Sequence, residues 1–324
     1  MKFTEHIKII NKLKKNITAQ VRHDLIKKEL SQLTPLLTLP HIKQRVYKFQ
    51  ANTNMELMKQ FAITRNICWH AYGCGGNPET DIDSYDTDPM SCYKQILVWD
   101  DDKEEILGGC RYVSLRELKE DLGYFPKEPK IRTWQMFDMS ADFYNNYLPY
   151  LIEIQRLFII PEKTYTFTSQ STKHATNVID TLFKGIGMII KKQSIKYLTG
   201  RVIFSPLLLS EKDNKRIINF LHDNFASYHL MYPKEQFRTA AFTELASNYT
   251  HDKIFNPKQI SEISPKIIHS LPTLLKIYLT MAEKCYFLGA VDEPELNNSL
   301  EVAIMFALKD FKKKIMERYI NKPY

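Results

Sequence analysis

Two apolar stretches, residues 93–99 and 106–113, flank a turn that carries Asp100, Asp101, Asp102, Glu104 and Glu105. Alternating or continuous apolar runs of this length on either side of an acidic turn read as an antiparallel hairpin. A further strong strand is predicted over residues 151–160, where Pro161 halts it. Val178, Ile179, Leu182, Phe183, Ile186, Ile189 and Ile190 then recur with helical period across 176–192, and residues 197–204 are again strand-like. The order of helix, hairpin, strand, helix, strand points to an α/β or α+β unit.

Upstream, Val21, Leu25, Ile26, Leu30 and Leu33 predict an amphipathic helix that Pro35 stops, and a short strand follows over 45–49. Residues 53–72 predict a helix ending near Gly73, before a long acidic loop. From about residue 211 the chain reads as mostly helical, with an amphipathic stretch through 267–284. Two apolar runs at 285–291 and 302–308 precede a charged C-terminal helix.

The chain has 324 residues, 44% of them hydrophobic and 25% charged, with only 10 Gly and 15 Pro, which excludes disorder and collagen-like sequence. A formal net charge of +8 suits anionic partners such as nucleic acid, acidic lipid or an acidic carrier protein, without choosing among them. Five cysteines with no C-x-x-C pair predict packed thiols in a reducing compartment, and no metal. The lysines among Phe3, Ile7, Ile10 and Leu13 interrupt any signal-peptide core, and no run is apolar enough to span a bilayer, so a cytoplasmic protein is expected. That first amphipathic helix reads equally as one lying on a membrane surface or as one packed on its own domain.

Several residues carry chemistry. Arg65, Trp69 and Tyr72 share one face of the helix over 53–72. The loop after it holds Asp81, Asp83, Tyr85 and Asp86, whose spacing fails a calcium loop and otherwise suits a solvated acidic loop. Arg111 closes the second hairpin strand, while Glu153 and Arg156 interrupt the apolar strand 151–160, where an unpaired charge is expensive. Strict alternation puts Glu153 and Gln155 on one face and Arg156 on the other. Lys184, Gly185 and Gly187 sit inside the apolar helical run, and each glycine there costs about 1 kcal/mol against alanine, which calls for close approach by a backbone or a ligand.

The ordered set Arg65, Trp69, Asp83-x-Tyr85-Asp86, Gly-x-x-Arg111 and Glu153-x-x-Arg156 resembles the signature of acyl-homoserine lactone synthases and N-acyl amino acid synthases. With Leu182-Phe-Lys-Gly-Ile-Gly187, Tyr197-Leu-Thr-Gly-Arg201 and Leu271-Pro-Thr-Leu-Leu-Lys-Ile-Tyr278 it is similar to the ornithine-lipid and glycine-lipid N-acyltransferases, often labelled hemolysin-like, over about residues 40–310. The resemblance implies a GNAT-like fold: a mixed, mostly antiparallel sheet flanked by helices, with N-terminal helices over 1–38, a core over 39–210 and an extension over 211–324. It implies transfer of a fatty or 3-hydroxyacyl group from acyl carrier protein, or from CoA, to the amine of a glycine- or ornithine-type amino acid, with no tightly bound cofactor.

By resemblance, Glu153 is the general base and Asp86 and Arg156 belong with it. Arg65, Trp69, Asp83, Arg111 and Phe158 serve substrate binding, the arginines also holding the loop. Lys184, Gly185 and Gly187 contact the pantetheine phosphates, and N–H groups of 157–160 bind the oxyanion. Acyl carrier protein is the expected partner, and the inner membrane face the expected peripheral location. A catalytically silent lipid- or carrier-binding protein is the alternative reading; a basic nucleic-acid-binding protein is another, which no nucleic-acid motif supports.

Overall fold

The structure, a computed structural model, describes residues 23–76, 81–88, 93–123, 130–160, 169–246 and 257–321. In chain order its strands are β1 (Leu37–Leu39), β2 (Gln44–Phe49), β3 (Lys94–Asp100), β4 (Glu105–Ser114), β5 (Phe137–Met139), β6 (Leu151–Ile159), β7 (Tyr197–Ile203), β8 (Met231–Pro233), β9 (Tyr286–Glu293) and β10 (Ser299–Ala307). The longer helices are α1 (His23–Ser31), α2 (Met55–Ala71), α3 (Leu115–Leu122), α4 (Ser169–Gln193), α5 (Glu211–Phe225) and α6 (Thr273–Met281). The chain forms two compact units: Met1–Val113 with Gln155–Lys192 and Arg318–Tyr324, and Ser114–Ile154 with Gln193–Glu317.

In the first unit the strand order is β1-β2-β3-β4-β6. The β1–β2, β2–β3 and β3–β4 pairs are antiparallel, so the hairpin read from residues 93–113 is present. Every residue of β3 is buried, which is why its sequence runs apolar instead of alternating. The unit's core gathers Leu57, Phe61 and Ala62 of α2 with Phe49, Leu97 and Phe158 from the strands, and Ile26 and Leu30 of α1 join it.

In the second unit the N-terminal half of β6 leads the order β6-β7-β10-β9. Leu151–Ile154 runs parallel to Tyr197–Gly200, the chain having passed through α4 between them, as a parallel pair requires. The β7–β10 and β10–β9 pairs are antiparallel. Phe225, Tyr228, Phe242 and Phe287 anchor the core of this unit. The fold is thus α/β, with mixed, mostly antiparallel strand pairing and flanking helices.

Three sequence expectations need adjusting. The helix expected over 176–192 begins earlier, at Ser169. The amphipathic stretch through 267–284 is not one helix: Pro265–His269 and α6 are separated at Pro272, which lacks an N–H and pushes the residue before it out of helical backbone. The apolar runs at 285–291 and 302–308 are β9 and β10, so the C-terminal third supplies strands as well as helices. Among the described residues, no helix is long and apolar enough to cross a membrane. The amphipathic helix read around Phe3, Ile7, Ile10 and Leu13 lies outside the described residues.

Candidate active site

Two buried polar clusters stand out, one in each unit. In the first unit, α2 presents Arg65, fully buried, to the loop that follows it. Arg65 donates from Nε to Asp81, and from Nη2 to the Asp81 carbonyl at 2.8 Å and to Asp86 at 2.7 Å. On β4, Arg111 is likewise buried: its Nη1 donates to both Asp83 oxygens at 2.8 and 2.7 Å and its Nε to Gln155 at 3.1 Å. Directly opposite Arg111 across the β3–β4 ladder sits Gln95, which donates to Asp86 at 2.8 Å. Arg156 pairs with Asp81, and with Asp83 at 2.9 Å.

The loop is built to accept these contacts. Asp83 caps the turn Ser84–Thr87, accepting from the N–H groups of Tyr85 and Asp86, and the Asp86 side chain accepts in return from the Asp83 N–H. Three guanidinium groups thus meet three carboxylates. Burial alone would raise the Asp83 carboxyl, but Arg111 and then Arg156 outweigh it and hold it well below the usual carboxylate range. Burial would raise Asp86 too, and Arg65 and Arg111 likewise pull it down. The same contacts raise both arginines against the lowering effect of burial. Rings add to this: Arg111 lies over Tyr93 at 4.9 Å and over Tyr85 at 5.4 Å.

Arg156 corrects the alternation argument. Its φ is +48°, left-handed backbone in the middle of β6, a conformation that costs an L-residue of this size about 1–2 kcal/mol. The irregularity turns two successive side chains, Gln155 and Arg156, into the same ion-paired cluster instead of onto opposite faces. The paired charge offsets the cost, and the sequence carries no glycine to advertise it.

In the second unit, the parallel register sets Glu153 beside Thr199, and Arg201 follows on the same face of β7. Arg201 is opposite Ala303 in β10, which brings Glu301 to this face, and Glu301 is opposite Val291 in β9, which brings Glu293 there. The short helix Arg132–Met136 supplies the rest. Thr133 donates from its hydroxyl to Glu153 Oε1 and accepts from Arg201 Nη1 at 2.8 Å, while Arg132 Nε donates to Glu293 at 3.1 Å. Arg201 also pairs with Glu301, and with Glu293 at 3.3 Å. Of the residues named, three glutamates face two arginines.

The remaining expected site residues fall elsewhere. Phe158 is a core residue, its ring edge-on to Phe61 at 5.0 Å, because the apolar alternation of β6 buries it beneath α2. Trp69 is buried on α2, and its indole N–H finds no acceptor among the described residues.

Gly185 and Gly187 lie in the interior of α4, where each N–H is already used by the carbonyl four residues earlier, whereas a phosphate loop needs the open N–H groups of a helix start. Both glycines answer to packing. A Cβ on Gly185 would come within 2.6 Å of Val46, and one on Gly187 would collide with the Tyr319 carbonyl. Lys184 pairs with Asp180 at 3.0 Å, and Asp180 also accepts from Arg318 Nε and the Tyr319 hydroxyl at 2.7 and 2.8 Å. Gly187→Ala is therefore expected to lift the Arg318–Asn321 turn from α4, read as a cost of about 1–3 kcal/mol in denaturant unfolding.

Sequence reasoning missed Asp81 as a partner, and Gln95, Thr133, Glu293 and Glu301 altogether. Glu301, placed in an apolar strand, is the kind of buried charge that signals a partner.

No protein-family model matches the chain. A protein from Phocaeicola vulgatus named Glycine N(alpha)-acyltransferase is 26% identical over 313 residues, covering 94% of this chain and 92% of that relative. A protein of the same name from Bacteroides thetaiotaomicron is 27% identical over 302 residues, covering 91% of this chain and 86% of the relative. Among solved structures, the acyl-homoserine lactone synthase LasI aligns over 87% of this chain and 98% of its own at 10% identity and TM-score 0.39. The CoA-dependent acyl-homoserine lactone synthase MesI aligns over 85% and 93% at 12% identity and TM-score 0.36. Over more than 90% of its length, then, the chain is a relative of proteins named glycine N(alpha)-acyltransferase, as the ordered motifs of its sequence anticipate.

Proposed function

We propose that this protein is an N-acyltransferase that moves a fatty acyl group from a phosphopantetheine thioester to the amine of glycine, a step of aminolipid synthesis. The observation that carries the proposal is the near full-length likeness to two proteins named for that reaction. The amine nitrogen attacks the thioester carbonyl, the N–C bond forms and the C–S bond breaks. The proton lost by the amine passes to Glu153, directly or through a water, and ends on the departing thiol. Glu153 suits the role because it is a carboxylate buried among polar groups and held by Thr133.

The oxyanion needs N–H donors. By the family resemblance they come from residues 157–160, of which the Ile160 N–H already donates to Leu107 at 2.9 Å. Arg65, Arg111 and Arg156 hold the Asp81–Asp86 loop and are matched by its carboxylates, so the glycine carboxylate is read elsewhere. A net charge of +8 suits an acidic acyl carrier protein as donor, and equally the anionic phosphates of CoA. The product is an amphiphile, which fits action at the inner face of the membrane.

The test is incubation of purified protein with acyl thioesters of acyl carrier protein or of CoA, and with glycine or a panel of other amino acids, followed by mass spectrometry. N-acylglycine from the carrier-bound donor is the expected product. Binding of thioester with no N-acyl product from any acceptor would point to a silent binding protein.

A further inference from the structure

The contacts of Glu153 lead to a residue that no sequence motif singles out. Thr133 is the second residue of the short helix Arg132–Met136, which precedes β5 and β6 in the chain, and is buried. A threonine hydroxyl has one proton and two lone pairs. Arg201 Nη1 donates to that oxygen at 2.8 Å, and a guanidinium has no lone pair to accept, so the hydroxyl proton is directed to Glu153 Oε1. Arg201 is itself held by Glu301 of β10 and Glu293 of β9, and Arg132, the residue before Thr133, is anchored by Glu293. Arg201 and the short helix that carries Thr133 are therefore each fixed by buried ion pairs.

We infer that Thr133 is a positioning residue: oriented by Arg201, its hydroxyl holds the Glu153 carboxylate in one rotamer and in its ionised, proton-accepting form for the incoming amine. This rests on Glu153 acting as the base. A hydrogen bond donated to a carboxylate favours the ionised form, whereas the acidic neighbours Glu293 and Glu301 oppose it and the charges of Arg201 and Arg132 support it. A threonine that merely tied its helix to the sheet would give stability alone.

The experiment is the pH dependence of turnover in Thr133→Val, Thr133→Ser and Glu153→Gln, each with its melting temperature. In Thr133→Val the rising limb of the profile is expected to move to higher pH by about one unit, so that turnover drops about tenfold on its acid side and recovers in alkali. Thr133→Ser, which restores the hydroxyl, is expected to return the limb to its original place. A Thr133→Val profile with an unmoved limb, whatever the melting temperature, overturns the inference while leaving Glu153 as base. If Glu153→Gln keeps both turnover and the limb, the base assignment fails and the positioning role fails with it.

Discussion

Arg111→Met is expected to lower the unfolding free energy by about 3–5 kcal/mol, because it leaves Asp83 to Arg156 and Asp86 to Arg65, so that three buried carboxylates face two guanidinium groups. Arg111 is 1% exposed and makes two bonds to Asp83, one to Gln155 and two ring contacts. A domain is typically stable by about 5–15 kcal/mol, so the variant should sit near the edge of folding. The contrast is Arg45→Met. Arg45 pairs with Asp101 at 2.5 Å, but the two side chains are 39% and 28% exposed, and water screens such a pair to about 1 kcal/mol or less. Urea unfolding of both variants measures the difference; equal midpoints would show that the Arg111 cluster contributes no more than a surface pair.

The same cluster has an acid signature. Asp83 and Asp86 are depressed in the folded state, so the stability these two contribute is fully present above the unfolded carboxylate value of about 3.9 and is lost as pH falls below that toward the folded values. Asp86→Asn, which the sequence reading would place among catalytic changes, removes a wholly buried partner of Arg65 and Arg111. Its first effect is on folding, and any loss of turnover has to be normalised to folded protein.

How far the sequence reaches can be seen residue by residue. The β3–β4 hairpin, α2 and β6 are legible because apolar period and length decide them, and the structure puts each within a residue or two of its expected place. Arg65, Asp83, Asp86, Arg111 and Arg156 are legible as members of one cluster through the family resemblance, while the rule that a charge in an apolar segment must find a partner reaches only Glu153 and Arg156. The solvated acidic loop fails as a reading for the same reason: a count of acidic residues says nothing of the three arginines, tens of residues away, that bury them.

What stays hidden is what depends on the third dimension. The left-handed backbone of Arg156 leaves no mark in the residue type. The glycine pair in α4 reads alike for a ligand and for a neighbouring backbone until Val46 and Tyr319 are seen beside it. Thr133 lies 68 residues from Arg201, and no local period joins a threonine on a helical turn to an arginine on a strand.

Glu153→Gln carries the second large effect, and it separates catalysis from structure more cleanly than any change in the arginine cluster. The amide has the shape of the carboxylate and keeps an oxygen to which the Thr133 hydroxyl can donate, so β6 and the short helix Arg132–Met136 should stay in place. Replacing one of three glutamates in a cluster with two arginines also leaves both arginines with a carboxylate, since Glu293 and Glu301 remain. Folding is therefore expected to change by less than about 1 kcal/mol, the scale of one neutral hydrogen bond exchanged for another. What the amide cannot do is accept a proton from the attacking amine. Loss of a general base typically removes about 10²–10⁴ of rate, so acyl transfer to glycine should fall by that factor at unchanged thermal midpoint. A variant that folds normally and turns over at near wild-type rate would take Glu153 out of the chemistry. A wild-type protein with no turnover to lose would take the chain out of the enzymes, leaving a thioester-binding protein built on an acyltransferase frame.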